Sequence, residues 1–136
     1  METNHSGKKI LVIDDEPDFL CLIEARLKKE NLQVITAEMG KVGLEKIKTD
    51  HPDLILLDLM MPQIDGFAVL GILKTNPQTR KIPVIILSAR NTPENVNRSV
   101  RLGAHAFIAK DSGFDYLISI IKDILANPDR KQELSA

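Results

Sequence analysis

Pro52-Asp53-Leu54-Ile55-Leu56-Leu57-Asp58-Leu59-Met60-Met61-Pro62 is the stretch on which the fold turns. Four consecutive aliphatic residues, Leu54–Leu57, stand between a turn-forming proline and an aspartate. A run that is apolar at every position, not at every second one, reads as a strand buried on both faces. Such strands belong to parallel sheets with helices packed on each side. A carboxylate ending a run of this kind is costly to bury, so Asp58 asks for a reason to be there.

The same pattern recurs on both sides of that stretch. Ile10–Ile13, Val34–Thr36, Val84–Leu87 and Ala106–Ala109 are further short apolar runs. Stretches with helical spacing lie between them, with Leu20, Ile23 and Leu27 on one stripe and Phe114, Leu117, Ile118, Ile121 and Leu125 on another. Helix starts are marked by Pro17, by Asp65-Gly66, by Thr92 before Pro93 and by the capping-box spacing of Ser112 and Asp115. Gly103 suits a helix end, and 76–82 reads as a polar connection.

Five βα units in succession predict an α/β sandwich. Right-handed crossovers narrow the topology to a flavodoxin-like doubly wound (βα)5 fold, with a five-stranded parallel sheet of order 2-1-3-4-5. Its switch point lies between the first and third strands, and ligands in such sheets sit at the carboxyl strand ends near that point.

Those ends carry the chemistry. Asp14, Asp15 and Glu16 follow the first strand, Asp58 the third, Ser88 the fourth and Lys110 the fifth. The predicted order makes the first and third strands neighbours, so Asp14, Asp15 and Asp58 are expected to converge. Three carboxylates together repel one another unless a cation joins them, and an all-oxygen donor set suits Mg²⁺. Asp58 is placed to attack phosphorus and form an acyl phosphate. Lys110 offers a point charge and Ser88 a hydroxyl to phosphoryl oxygens. A strand-end lysine or serine alone is more often merely solvated. Their joint placement is what makes the pattern specific.

These residues resemble the receiver domain of response regulators in two-component signal transduction. The matching motifs are 9–17 (KILVIDDEP), 52–62 with Asp65-Gly66, 83–89 (PVIILSA) and 103–110 (GAHAFIAK). The similarity runs from about Lys8 to Ala126, which implies a polar extension over residues 1–8, a receiver domain over 9–126 and a tail or linker stub over 127–136. The resemblance implies that Asp58 is the phosphoacceptor. Asp15 would bind Mg²⁺ directly, Asp14 largely through water, and the Met60 backbone carbonyl would add a ligand. Ser88 and Lys110 would contact the phosphoryl group, and Phe107 would be the aromatic switch. Met60 and Arg90 would tune phosphoryl lifetime.

The implied donor is a sensor histidine kinase or phosphotransfer protein. The implied output is a domain, a downstream protein or a phosphorylation-linked dimer on the face of the fourth helix, fifth strand and fifth helix. Arg98, Arg101, Tyr116 and Ile120 fall on that face. The protein would catalyse its own phosphorylation without being a turnover enzyme. Two positions depart from the family. Asp111 stands where proline usually follows the lysine, and a cis peptide before a non-proline residue costs about 3 kcal/mol, so a trans or strained loop is expected. Phe107 lacks the hydroxyl of the commoner tyrosine.

Composition bounds the alternatives. The 136 residues suit one domain, 43% are apolar, and the net charge is −1. That charge gives no footprint for nucleic acid or anionic membrane. No apolar run is long enough to span a bilayer, and 1–9 lacks a secretory h-region. Cys21, the single cysteine, is expected as a small packing residue in a reducing compartment, and a cytoplasmic location follows. His5, His51 and His105 show no ligand spacing and are expected at the surface. A flavin site would need a Ser/Thr/Gly-rich phosphate loop where Asp14-Asp15-Glu16 stands. An aspartyl phosphatase would place its nucleophile and its acid/base aspartate two positions apart after the first strand, a spacing that Asp14-Asp15-Glu16 does not offer. A pseudo-receiver would lack one of the five polar positions that are all filled here.

Overall fold

The computed structural model describes residues 6–61 and 64–128. Pro62, His5, the first five residues of the extension and residues 129–136 of the tail lie outside them. The elements alternate as expected: β1 (Lys9–Ile13), α1 (Pro17–Lys29), β2 (Gln33–Ala37), α2 (Gly40–Asp50), β3 (Leu54–Asp58), α3 (Gly66–Thr75), β4 (Val84–Ser88), α4 (Pro93–Leu102), β5 (Ala106–Ala109) and α5 (Phe114–Ala126). A 3-10 turn, Lys110–Ser112, links β5 to α5. All pairings are parallel and the sheet order is β2-β1-β3-β4-β5, so the doubly wound topology is the one expected.

The strand residues divide by parity between two cores. Ile10, Val12, Leu54, Leu56, Ile85 and Leu87 face α1 and α5, where Leu20, Ile23, Leu27, Leu117, Ile118 and Ile121 meet them. Leu11, Ile13, Ile55, Leu57, Val84 and Ile86 face the other way, onto Ile47, Val69, Leu70 and Leu73. β3 and β4 are buried throughout. Each fully buried aliphatic side chain contributes about 1.5–3 kcal/mol, which is why uninterrupted apolar runs settle in the middle of the sheet.

Local chemistry sets the helix starts. Thr92 Oγ1 accepts from Asn95 N at 3.2 Å, with Pro93 in the first turn of α4. Asp65 Oδ1 accepts from Ala68 N at 2.8 Å. Gly103 ends α4 at φ 101°, in the left-handed region that glycine occupies without strain.

Three expectations give way. Ser112 and Asp115 form no capping box: Gly113, at φ 92°, occupies the N-cap of α5, and Asp115 is drawn to Arg26 on α1 at 2.7 Å. Cys21 is exposed, because it lies about 100° round the helix from the buried Leu20 and also off Ile23. His105 is buried at the start of β5, where its N–H donates to Val84 O at 2.8 Å.

Candidate functional site

The two central strands deliver the acids. Asp14 N donates to Ala37 O at 3.0 Å, which prolongs the β1–β2 ladder by one residue and aims the next backbone over the sheet end. Asp58 is the last residue of β3, opposite Leu87, so it is inside the strand and not beyond it. Asp14 and Asp58 are 1% and 3% exposed.

The loop after Asp58 is held from below. Gly66 N donates to Leu59 O at 3.0 Å, and a Cβ on Gly66 would come within 2.3 Å of Asp58 O. Glycine there lets the start of α3 press backbone against backbone beneath the carboxylate.

Carboxylate oxygens of Asp14, Glu16 and Asp58 lie within 4.8 Å of one another. Asp15 does not belong to this trio. Its side chain lines an adjoining cavity of about 420 Å³ together with Met60, Met61, Asp65, Phe67, Asn95 and Arg98. Lys110 supplies the counter-charge. Its Nζ is 2.7 Å from Asp14 Oδ2, 2.5 Å from Glu16 Oε1 and 3.5 Å from Asp58 Oδ2. It also stands 4.7 Å from the centre of the Phe19 ring.

Backbone donors complete the pocket. Glu16 N donates to Asp14 Oδ1 at 2.9 Å and Met60 N to Asp58 Oδ1 at 3.2 Å. Asp14 Oδ2, by contrast, is buried with no well-aligned hydrogen bond, its lysine contact being an ion pair off the favoured angle. A buried oxygen of that kind, among oxygen-only neighbours, fits a hard divalent cation.

The electrostatics follow from the crowding. Burial, then the charge of Asp14, pushes the Asp58 carboxyl up to about 6. Burial also raises Asp14, against the opposing pull of Lys110. Burial alone would lower the Lys110 ammonium, but its bonds to Asp14 and Glu16 outweigh that and raise it, so it stays charged.

On the other side of the site, Ser88 ends β4 opposite Ala109. Its Oγ accepts from Arg90 N at 2.9 Å and donates to Arg90 O at 3.1 Å, so the hydroxyl is engaged by its own loop. Phe107 is half-buried against the core shared with α3. The Lys110–Asp111 peptide is trans and runs into the 3-10 turn. Met60 is exposed, Tyr116 is exposed, and Ile120 is half-buried against the α1/α5 core. Arg98 lies over the Phe67 ring at 4.1 Å.

Of the expected convergence of Asp14, Asp15 and Asp58 beside Lys110, the structure brings Asp14, Asp58 and Lys110 together; Asp15, one residue further along the turn out of β1, falls outside the cluster and Glu16 takes its place. Glu16 carries no role in the sequence pattern, although it adjoins the aspartate pair. Its only signal was its position one residue past the aspartate pair, where the backbone turns into α1. The Arg98–Phe67 contact left no mark in the pattern, since it depends on how α3 and α4 approach each other.

A response regulator receiver domain model matches residues 10–122, and the chain belongs to that family. It is 34% identical to protein PilG of Pseudomonas aeruginosa, over 90% of each chain. Three other curated relatives are longer proteins, of which the chain spans 52%, 28% and 22%. Among solved structures it is similar to the receiver domain of a histidine kinase from Syntrophus aciditrophicus, with a TM-score of 0.83, 31% identity and coverage of 96% and 98% of the two chains. It is also similar to TrrA of Thermotoga maritima, solved in complex with Mg(2+)-BeF, with a TM-score of 0.77, 32% identity and coverage of 86% and 98%. Among the described residues no helix is long and apolar enough to cross a membrane.

Proposed function

We propose that this receiver domain accepts a phosphoryl group on Asp58 from a phosphohistidine of a sensor histidine kinase or phosphotransfer protein, in the cytoplasm. The observation that carries the reading is the Asp58 carboxylate itself: 3% exposed, crowded by Asp14, and with the Lys110 ammonium 3.5 Å away. An Asp58 oxygen forms the new P–O bond while the P–N bond to the donor imidazole breaks, and the leaving imidazole is protonated from solvent. Lys110 follows the developing negative charge, and Ser88 gives up its Arg90 contacts to donate to a phosphoryl oxygen.

Asp14, Asp15, Asp58 and the Met60 carbonyl are the proposed Mg²⁺ ligands. The buried, poorly aligned Asp14 Oδ2 supports the part given to Asp14, and the Mg(2+)-BeF complex of the relative TrrA supports the choice of metal; Asp15, which stands outside the Asp14–Glu16–Asp58 trio, would have to turn toward that trio to join. When bound, Mg²⁺ offsets the carboxylate repulsion and the charge on the phosphoryl oxygens. Inward movement of Ser88 frees space for the half-buried Phe107, which shifts the face formed by α4, β5 and α5 and so the output domain, downstream protein or dimer docked there. Arg90 lies two residues past Ser88 and, with Met60, sets how long the acyl phosphate survives. The exposed Met60 shields it from water, so Met60→Asn hydrolyses faster than wild type; equal decay of the two labelled proteins removes that role.

Incubation of the full chain with acetyl phosphate and Mg²⁺, followed by intact mass, tests the assignment. One added phosphoryl group, absent in Asp58→Ala and in EDTA, is expected. Labelling that persists in Asp58→Ala overturns it.

A further inference from the structure

The contact distances of Lys110 run in an unexpected order. Its two shortest are to Asp14 and Glu16, at 2.7 and 2.5 Å, and the phosphoacceptor is third, at 3.5 Å. We propose that Glu16 is a positioning residue that holds Lys110 in a resting pose and competes with an incoming phosphoryl group for its ammonium. The inference rests on the phosphoacceptor reading of Asp58.

The two carboxylates that hold Lys110 are not equivalent. Asp14 is buried and cannot leave without exposing the pocket. Glu16 is different: its side chain is 62% exposed, although it grips an ammonium that is only 13% exposed. It sits at the N-cap of α1 in extended backbone and makes no capping bond of its own, so among the described residues Lys110 is the contact that fixes its side chain. Its carboxylate can swing into water at little cost, while that of Asp14 cannot. The ammonium donates to Glu16 and Asp58 and pairs with Asp14 off the favoured angle, with the Phe19 ring alongside, so its three donors are already committed. A phosphoryl group arriving on Asp58 brings up to two more negative charges and needs one of those donors. The contact that gives way is the exposed one.

An exposed carboxylate is a weak latch, which sets the size of the effect. Labelling by acetyl phosphate is followed by intact mass in wild type, Glu16→Gln and Glu16→Asp, and again with each change combined with Lys110→Met. Glu16→Gln is expected to label about two- to fivefold faster than wild type, the range an exposed ion pair allows. Glu16→Asp keeps the charge but draws it back from the ammonium, so it too is faster. Neither change alters the rate when Lys110 is Met. Acceleration in Glu16→Gln but not in Glu16→Asp overturns the latch and assigns the effect to bulk charge at the mouth. Slower labelling with a raised Mg²⁺ requirement overturns it by making Glu16 a metal ligand.

Unlabelled wild type sinks the phosphoacceptor reading and not yet the resting pose. The pose is read separately, from proton exchange at the Lys110 ammonium by NMR. Faster exchange in Glu16→Gln than in wild type supports it, and identical exchange overturns it.

Discussion

At the ends of β1 and β3, carboxylates crowd together against the single lysine that follows β5, whereas at the end of β4 the polar group is already satisfied. Ser88 is fully buried yet comfortable, because its hydroxyl both accepts from and donates to the Arg90 backbone. Asp58 is almost as buried and is not comfortable: its carboxyl is pushed up to about 6. One half of the site holds free energy in like-charge repulsion and burial, and the other is at rest. Free energy stored on the first side is what a bound cation can release, and the second side has only to exchange one set of hydrogen bonds for another.

The contrast predicts unequal responses to substitution. Gly66→Ala should be the most damaging change, costing about 3 kcal/mol or more, because its Cβ would meet backbone under Asp58 with nothing able to yield. Chemical denaturation measures it, and a cost under about 1 kcal/mol would mean that the carboxylate half is not rigidly supported.

Asp58→Asn should stabilise the metal-free protein. A carboxyl whose folded pKa lies above its unfolded value keeps its proton longer in the folded chain. Folding therefore loses free energy as pH rises from 3.8 to about 6. The amide escapes that loss, so its advantage grows across that window and levels off above it at roughly 3 kcal/mol. Denaturation midpoints in EDTA from pH 4 to pH 8 should show the gap opening, and a constant gap breaks the argument.

Lys110→Met should cost roughly 2 kcal/mol, since it leaves the buried Asp14 without its partner. Adding Asp14→Asn should recover most of that loss. The smallest effect belongs to the resting half: Ser88→Ala should cost about 1 kcal/mol, because water can reach the freed N–H of the exposed Arg90. If Ser88→Ala proves as damaging as Lys110→Met, the two halves are not different in kind.

Most of this architecture was readable in the residues. The strands were legible because β3 and β4 are buried at every position, and only that burial produces runs such as Leu54–Leu57. Their limits moved by a residue where a polar end joins the ladder, as Lys9, Gln33, Asp58 and Ser88 do. Asp14, Asp58 and Lys110 were legible because strand order brings strand ends together. What stayed hidden depends on contacts between elements. Asp115 leaves its expected capping role because Arg26 of α1 is within reach, a fact of the α1–α5 packing. His105 is buried by its neighbours and not by its own polarity. Glu16 gained its place from the reach of Lys110, 94 residues away.

The outward turn of Cys21 has a practical side. The chain carries one sulfhydryl, and it lies on the surface of α1 about a turn and a half beyond Glu16. A maleimide fluorophore would therefore attach at a single address without any engineering. Its emission would report on molecules that settle against α1 next to the acidic pocket.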